Sequence, residues 1–239
     1  MKGSWKKIIE DNWDWLLDWV WPRYCLGCGR EGEWVCRDCQ QKNLLRNDIC
    51  CCPECGLINS DGRICKNCQN KWNLNRLLIA CQPTGLLREV LLNYKYKDLY
   101  RLQNVLVDCL QNKLDQDLRD YDLVMGVPLH SNRENWRGYN QALKLAEGLS
   151  DIYGWKLIKN IKRNKNTIPQ VNFARKDRLK NVKGVFCFIG KKEEIENKKI
   201  LLVDDVCTTG ATIDQCAREL KNNGAALVDG LVLVRGTAR

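Results

Sequence analysis

The chain has 239 residues, of which 44% are hydrophobic, which suffices for one large domain with its own core and one small domain. Because no apolar stretch approaches the length of a membrane span and no secretory signal is found, we expect a cytoplasmic protein without a membrane span. The net charge of +10 is concentrated in residues 130–199, where 17 Lys and Arg face 7 Asp and Glu, so the partner there is expected to be anionic.

An amphipathic helix is predicted for residues 1–24. Five of the nine tryptophans lie within residues 5–21, and apolar side chains recur there at helical spacing. The other faces carry aspartates, which anionic lipid would repel, so packing against the body of the protein or a partner is favoured over a membrane surface. Pro22 ends the helix.

Eight of the fifteen cysteines form four CxxC pairs between residues 25 and 68, in two sets of which the second repeats the first. A glycine follows the first pair of each set (Gly29 and Gly56), where it permits the left-handed turn that brings backbone N–H groups to a thiolate. This spacing is typical of structural zinc sites with four thiolates, and it favours a reducing cytoplasm over a disulfide scaffold. We predict a double zinc ribbon over residues 25–70, with a cross-braced pairing left open. The predicted zinc ligands are Cys25, Cys28, Cys36, Cys39, Cys52, Cys55, Cys65 and Cys68.

Residues 76–239 alternate between apolar runs and stretches of helical periodicity, which indicates an α/β domain. A polar stretch follows the second apolar run at residues 130–141 and is expected to be a loop. The predicted strands include residues 77–81, 121–128, 155–161, 185–189 and 226–234, and the predicted helices include residues 86–94, 99–114 and 139–150.

The stretch from Ile200 to Thr212 reads I-L-L-V-D-D-V-C-T-T-G-A-T and organises the domain. Its four apolar residues suit a strand buried on both faces of a parallel sheet. A loop over Val206–Ala211 and a helix over Thr212–Asn223 are predicted to follow.

The polar residues of this stretch predict a ligand. Open α/β sheets bind ligands beyond the carboxyl ends of their strands, where Asp204 and Asp205 fall. Two adjacent carboxylates can accept hydrogen bonds from two vicinal hydroxyls of a ribose. Thr208 and Thr209 offer hydroxyls, Gly210 lets backbone N–H groups approach an anion, and the following helix adds its positive end, so the loop is interpreted as a phosphate cradle. Together these features describe a 5-phosphoribosyl group.

This stretch resembles the phosphoribosyl-diphosphate (PRPP) motif of type I phosphoribosyltransferases, and the whole chain resembles the ComF family, named after competence protein F. The resemblance implies a type I phosphoribosyltransferase fold, a parallel sheet flanked by helices, over residues 76–239 after the zinc module. It also implies PRPP or ribose 5-phosphate as ligand, with Mg2+ held mostly by the ligand's own oxygens and by water. The PRPP-binding residues implied within the motif are Asp204, Asp205, Val206, Cys207, Thr208, Thr209, Gly210, Ala211 and Thr212.

The resemblance extends to R-G-Y-N-Q at residues 137–141, where the family holds the pyrophosphate. Because a guanidinium grips such a group in bidentate fashion, Arg137 is implied as a catalytic residue together with Asp204 and Asp205. The basic segment 156–183, with 10 Lys and Arg against one acid, corresponds to a flexible loop that closes over the diphosphate. The further PRPP-binding residues implied here are Arg133, Arg137, Gly138, Gln170, Arg175 and Arg178.

Two further features are open to more than one interpretation. The Y-K-Y-K segment at residues 94–97, with Lys95 and Lys97, is either a solvated turn or, as the resemblance implies, the entry to the transferase domain, and neither interpretation is preferred. His130, the single histidine, is interpreted as structural in preference to a general base.

Two classes of function fit these observations. One is a Mg2+-dependent phosphoribosyltransferase that acts on an unidentified acceptor and is linked to DNA uptake through the resemblance. The other is a protein that binds PRPP or single-stranded DNA without turnover, alongside DNA-uptake proteins, since phosphate contacts need only Lys and Arg.

Overall fold

The computed structural model describes residues 22–45, 50–59, 61–96, 102–115, 120–164 and 184–236. Residues 1–21 of the predicted N-terminal helix lie outside these ranges. The strands are β1 (Cys50–Cys51), β2 (Ile58–Asn59), β3 (Arg76–Ile79), β4 (Leu123–Gly126), β5 (Lys156–Leu157), β6 (Ile161–Arg163), β7 (Phe186–Phe188), β8 (Lys199–Cys207) and β9 (Leu227–Arg235). The helices are α1 (Arg37–Asn43), α2 (Gly85–Tyr96), α3 (Leu102–Asp115), α4 (Ser131–Arg137), α5 (Gln141–Tyr153) and α6 (Ala211–Asn222). Within the described ranges, none of the helices combines the length and the apolar character needed to span a bilayer.

Five strands form a parallel sheet in the order β3-β9-β8-β4-β5. β8 occupies the centre and is hydrogen-bonded to β9 on one side and to β4 on the other, as its run of apolar residues predicts. Gly126 of β4 lies opposite Val203 of β8, so the chain leaves β4 beside the two carboxylates that follow Val203.

Helices cover both faces of this sheet. Leu201 and Val203 join a buried cluster with α2, α3 and α5 on one face, whereas Ile200 and Leu202 join a second cluster with α6 on the other. Side chains alternate between the faces of a strand, so one apolar run serves both clusters. The predicted α/β architecture, a parallel sheet flanked by helices, is confirmed.

The predicted strand over residues 155–161 is wrong in extent. Only Lys156–Leu157 pair with β4, and the chain then turns so that Ile161–Arg163 pair with β7 in a separate antiparallel ribbon. The turn buries Ile161 beside Phe186 in the cluster that also contains α6. Burial of these side chains explains why the edge strand does not continue straight.

The prediction of a loop over residues 130–141 is also wrong, because Ser131–Arg137 form helix α4. The His130 imidazole caps its start, with Nδ1 accepting the Asn132 N–H at 3.2 Å, and Gly138 ends it in the left-handed conformation at φ 78°. Caps at both ends stabilise a short helix in a polar sequence. The structural interpretation of His130 agrees with this role.

A buried ion pair attaches edge strand β3 to β9. Arg76 Nε lies 2.6 Å from Asp229 Oδ2, and both side chains are fully buried. The Tyr121 hydroxyl donates to the same carboxylate at 2.8 Å and accepts from Arg76 Nη2 at 2.6 Å. Removing one partner of such a pair leaves a buried charge and typically costs about 3–5 kcal/mol. Because Arg76 begins β3 and Tyr121 precedes β4, this cluster stabilises the scaffold at the amino ends of the strands.

Helix α5 approaches β4 so closely that only glycine fits at residue 126. A Cβ at Gly126 would lie 2.4 Å from the Leu143 backbone nitrogen, whereas a Cβ at Gly85 would meet nothing within 4 Å. We expect Gly126→Ala to lower the free energy of unfolding by about 1–3 kcal/mol through overpacking. Gly85→Ala, the matched control in the first turn of α2, should leave it within about 0.5 kcal/mol. Urea unfolding of both variants measures this, and equal stabilities would refute the close-approach argument.

Candidate functional site

Two clusters of four cysteines lie in the N-terminal part of the described chain. Each cluster brings its four Sγ atoms within 4.8 Å of one another, and the sets are Cys25, Cys28, Cys36, Cys39 and Cys52, Cys55, Cys65, Cys68. The Sγ atoms are 3.7 Å apart for Cys28 and Cys36, and 3.6 Å apart for Cys55 and Cys65. Thiolates about 2.3 Å from a tetrahedral zinc ion lie about 3.8 Å apart, so the clusters fit zinc. The sequential grouping is present and the cross-braced alternative is not.

The turns of the CxxC pairs favour the thiolate form of the first cysteine. Gly29 and Gly56 adopt φ of 71° and 78°, as predicted. The Cys25 sulfur accepts N–H groups from Gly27 at 3.4 Å and from Cys36 at 3.3 Å. Burial alone would raise the pKa of Cys25, but these donors outweigh it and lower the pKa to about 6. Cys52, the equivalent residue of the second cluster, has its pKa lowered to about 6 in the same way.

The strand, loop and helix of the predicted phosphate cradle are present, with shifted boundaries. β8 continues to Cys207, and α6 begins at Ala211, so the loop is three residues long and shorter than predicted. It turns through Gly210 at φ 80°, and the buried Thr209 hydroxyl accepts the Ala211 N–H at 3.4 Å. Thr208 is exposed. Of the other implied ligands, Val206 and Cys207 lie on β8, whereas Ala211 and Thr212 form the first turn of α6.

Asp204 and Asp205 occupy the partly buried end of β8. Asp204 Oδ1 accepts the backbone N–H of Asp205 at 2.9 Å. Burial, followed by repulsion from the Asp205 charge, raises the pKa of Asp204 to about 8, although Lys95 and Arg163 oppose the shift. The two acids therefore form a pair that cannot carry two charges without a cost in free energy.

Lys95 supplies a counter-charge to Asp205, a role that the sequence did not predict. Its Nζ lies 2.5 Å from Asp205 Oδ2, and both side chains are less than a fifth exposed. The residue sits in the last turn of α2 with its side chain mostly buried, so the solvated-turn interpretation is wrong. The sequence signals were a Lys directly after the predicted helix 86–94 and the resemblance at this segment, and neither identifies Asp205 as the partner.

The R-G-Y-N-Q residues build the corner between α4 and α5. Gly138 ends α4, and Asn140 caps α5 by accepting the Leu143 N–H at 3.3 Å while its Nδ2 donates to the Val127 carbonyl at 3.1 Å. Tyr139 donates its hydroxyl to the Tyr94 carbonyl on α2. Arg137 donates to Gln141 Oε1 at 3.1 Å and is partly exposed. This corner follows β4, the strand next to β8, and so stands near the two acids.

Several implied site residues cannot be placed. Gln170, Arg175 and Arg178 lie outside the described residues, as does most of the basic segment 156–183. The backbone of Arg133 belongs to α4, but its side chain is not described.

The second cysteine cluster contacts the phosphate-cradle loop through Trp72, a residue that sequence reasoning missed. A Cβ at Gly210 would lie 2.1 Å from Trp72 Cη2, so the indole packs directly on the loop. Trp72 Nε1 also donates to Glu54 Oε2 at 3.2 Å, between two cysteines of the cluster. On α6, Asp214 accepts the Asn73 and Leu74 N–H groups at 2.6 and 3.1 Å. Residues 72–74, whose Trp72 packs on the loop, are therefore held by both the second cysteine cluster and α6.

Neutralising Asp204 should stabilise the protein in a pH-dependent manner. Between pH 4 and pH 8 the folded state keeps a proton that the unfolded state has lost, so wild-type stability falls as pH rises. Asp204→Asn retains the Oδ1 acceptor and removes the charge, so we expect a gain on the order of 2 kcal/mol at pH 8 and little difference at pH 4. Urea unfolding across this range measures it, with the exposed Asp151→Asn as control. Parallel curves for wild type and Asp204→Asn would contradict the raised pKa.

Comparison with known proteins agrees with this geometry. Residues 122–239 match the phosphoribosyl transferase domain family. The chain is 31% identical to competence protein F of Haemophilus influenzae over 56% of its own length and 62% of that protein's length. It is 27% identical to the DNA utilization protein YhgH of Escherichia coli O157:H7, over 85% of this chain and 92% of that protein.

Two further comparisons are more partial. Competence protein ComFC of Streptococcus pneumoniae is 29% identical over 62% of this chain and 63% of that protein. Among solved structures, a purine phosphoribosyltransferase from Pyrococcus horikoshii overlaps with 56% of this chain and 81% of its own, at 19% identity and a TM-score of 0.35. The matched regions thus span less than two thirds of competence protein F and of ComFC. The resemblance to the ComF family is confirmed, and residues 122–239 carry the match to the phosphoribosyl transferase domain family.

Proposed function

We propose that this protein binds PRPP at the carboxyl end of β8. The single observation that carries the proposal is the pair Asp204–Asp205 at the end of the central strand, followed by a three-residue loop and the start of α6. The carboxylates accept hydrogen bonds from the ribose 2- and 3-hydroxyls. The 5-phosphate lies at Thr208–Gly210, where the positive end of α6 and the loop N–H groups favour an anion. The phosphoribosyl transferase match and the relatives support this assignment.

The pyrophosphate of the same ligand is assigned to the chain that follows β4. Arg137 grips it by its guanidinium, aided by the basic segment 156–183 with Gln170, Arg175 and Arg178. The paired acids suit a site that binds PRPP as its Mg2+ complex, and the ion would supply charge neutralisation to the diphosphate oxygens.

Transfer of the phosphoribosyl group is the reaction that this arrangement supports. The bond between the anomeric carbon and the pyrophosphate oxygen breaks, and pyrophosphate leaves with the electron pair. A nucleophilic acceptor supplies the pair for the new bond. The chain need not provide a covalent nucleophile, since orientation of the ribose by Asp204 and Asp205 and stabilisation of the departing charge by Arg137 suffice.

The two cysteine clusters are proposed to hold one structural zinc ion each. All four positions of each tetrahedron are thiolates, so the ions stabilise the fold and offer no open position for catalysis. Eight reduced thiolates also suit a reducing compartment, so we assign the protein to the cytoplasm.

A second candidate function is ligand binding without transfer of the phosphoribosyl group. The relatives are named for competence and for DNA utilization, which supports a role in DNA uptake or processing. In that role the protein binds PRPP or single-stranded DNA without transferring the phosphoribosyl group, alongside DNA-uptake proteins. Release of pyrophosphate in the presence of an acceptor distinguishes the two functions.

PRPP binding should depend on Asp205. Asp205→Asn removes the charge that the ribose hydroxyls and Lys95 engage, and a charge-assisted hydrogen bond contributes about 1.5–3 kcal/mol, so we expect affinity to fall about tenfold or more. Calorimetry with PRPP and Mg2+ on wild type, Asp205→Asn and the remote Asp151→Asn measures this. Equal affinity of wild type and Asp205→Asn, or no binding to wild type, would remove the assignment.

The purified protein should contain two zinc ions per chain. Because zinc binding and folding of such modules are coupled, a chelator should unfold the cysteine modules before the sheet. Cys28→Ser and Cys55→Ser, at equivalent positions of the two repeats, should each lose one equivalent of zinc by elemental analysis. A wild-type content well below two, or loss of both ions from either single variant, would contradict two independent sites.

A further inference from the structure

A cavity of about 450 Å³ lies between the second cysteine cluster and the amino ends of the sheet strands. Asn75 of its wall directly precedes β3, Leu227 begins β9, and Lys221 belongs to the last turn of α6. Because the sheet is parallel, this end lies opposite to the end that carries Asp204 and Asp205. The volume falls within the range of small-ligand sites, about 300–1,000 Å³. The cavity is therefore separate from the proposed PRPP site.

The charged groups of the wall favour an anion. They are Arg63 and Lys221, and none of the described lining residues is acidic. Arg63 engages Asp61 through Nε at 2.6 Å, which leaves its two Nη groups without a partner among the described residues. Lys221 forms no ion pair within the same part of the chain, and burial lowers its pKa although Asp214 and Asp229 oppose the shift. The charged form of Lys221 thus carries a cost in free energy that a bound anion would offset.

Another part of the wall is apolar and includes an aromatic ring. Ile64 and Leu74 are buried, whereas Leu227 and the Trp72 indole are half-buried. The indole packs on Gly210 through Cη2, and the same residue lines the cavity. An aromatic ring of this kind is a platform on which a flat heterocycle stacks. The wall therefore suits a ligand that has an aromatic part as well as an anionic part.

Two exposed amides of the wall can form hydrogen bonds to such a ring. Asn75 Oδ1 accepts the Val228 N–H at 3.1 Å, so its Nδ2 group remains to donate. The Gln69 side chain has no hydrogen-bond partner within the described ranges. An amide offers a donor and an acceptor, which matches the edge of a nucleobase.

Simpler ligands would use only part of this lining. A metal cation or an amine would be repelled by Arg63 and Lys221. Inorganic phosphate would pair with these cations but leave the Trp72 ring and the apolar wall uncovered. A purely apolar ligand would remove water from the cations without pairing them, which is unfavourable.

We propose that this cavity binds a free nucleoside monophosphate. The base stacks on Trp72 against the apolar wall, and the amides of Gln69 and Asn75 bind its edge. The negative thiolates of the second cluster adjoin Gln69, so the phosphate is assigned to Lys221 on α6, with the Nη groups of Arg63 as further donors. The inference goes beyond the proposed function, because this site neither contains nor requires the PRPP-binding residues.

2′-Deoxyadenosine 3′-monophosphate is the probe that tests this. It lacks the 5-phosphate and both free ribose hydroxyls on which the proposed PRPP site depends. Its two parts, 2′-deoxyadenosine and inorganic phosphate, are the matched controls. In calorimetry we expect the full-length protein to bind the nucleotide at least about tenfold more tightly than either part, because the nucleotide uses both the ring platform and the cations. Addition of PRPP and Mg2+ should leave that affinity unchanged.

A pair of variants on α6 isolates the contribution of the phosphate. Lys221→Gln should remove most of the preference for the nucleotide over 2′-deoxyadenosine, since it deletes a charge-assisted contact. Arg218→Gln, three residues earlier on the same helix and outside the described lining, should keep that preference. Both side chains are half-buried, so the two variants should fold alike, which a thermal melt verifies.

Each other outcome overturns a stated part of the inference. If the nucleotide binds no more tightly than 2′-deoxyadenosine, or does not bind, the site is refuted. If PRPP displaces the nucleotide, the probe occupies the PRPP site and the cavity assignment is wrong. If Arg218→Gln weakens binding as much as Lys221→Gln does, the effect is overall charge and the assignment is again wrong. If a short oligodeoxyadenylate binds more tightly than the mononucleotide, the ligand is a strand and not a free nucleotide. Failure of PRPP itself to bind would remove the proposed function and leave this inference standing.

Discussion

The burial of two adjacent carboxylates at the end of β8 is the constraint on which the site depends. β8 is paired with β4 up to Val203 and with β9 up to Cys207, so Asp204 and Asp205 are held together in a partly desolvated place. The pKa of Asp204, raised to about 8, expresses that cost. Lys95 offsets part of it across 2.5 Å, and ribose hydroxyls would offset more by donating hydrogen bonds. The unliganded protein thus gives up stability that a ligand can restore.

The cysteine modules belong to the site and are not an appendage. Two features require glycine at residue 210. Its backbone has a positive φ, and the indole of Trp72 leaves no room for a side chain. Trp72 is held in turn by a hydrogen bond to Glu54, which lies between two cysteines of the second cluster. Arg235 donates to the carbonyl of the neighbouring Pro53. Loss of order at this cluster would therefore reach the loop at Gly210 through Trp72, and the end of β9 through Arg235.

The sequence predicted those parts of the molecule whose structure is determined by residues close together in the chain. The apolar run of β8 and the four CxxC pairs are of this kind, because the strand period and the thiolate spacing are local properties. Helix α4 was missed because its caps, His130 and Gly138, read equally well as loop residues. The contacts of Lys95 with Asp205 and of Trp72 with Gly210 were missed for another reason. The partners lie 110 and 138 positions apart in the sequence, and no periodicity encodes such a contact.

The R-G-Y-N-Q stretch combines residues with structural contacts and one residue, Arg137, with a proposed binding role. Gly138 and Asn140 cap helices, and Tyr139 ties the corner to α2, whose last turn also carries Lys95. These contacts are structural, but they fix where Arg137 leaves the chain relative to the acids of β8. Helix α2 therefore links the corner, through the Tyr94 carbonyl, to the ion pair between Lys95 and Asp205. The described contacts of Gly138, Tyr139 and Asn140 are therefore structural, and Arg137 is the member that we propose binds the pyrophosphate.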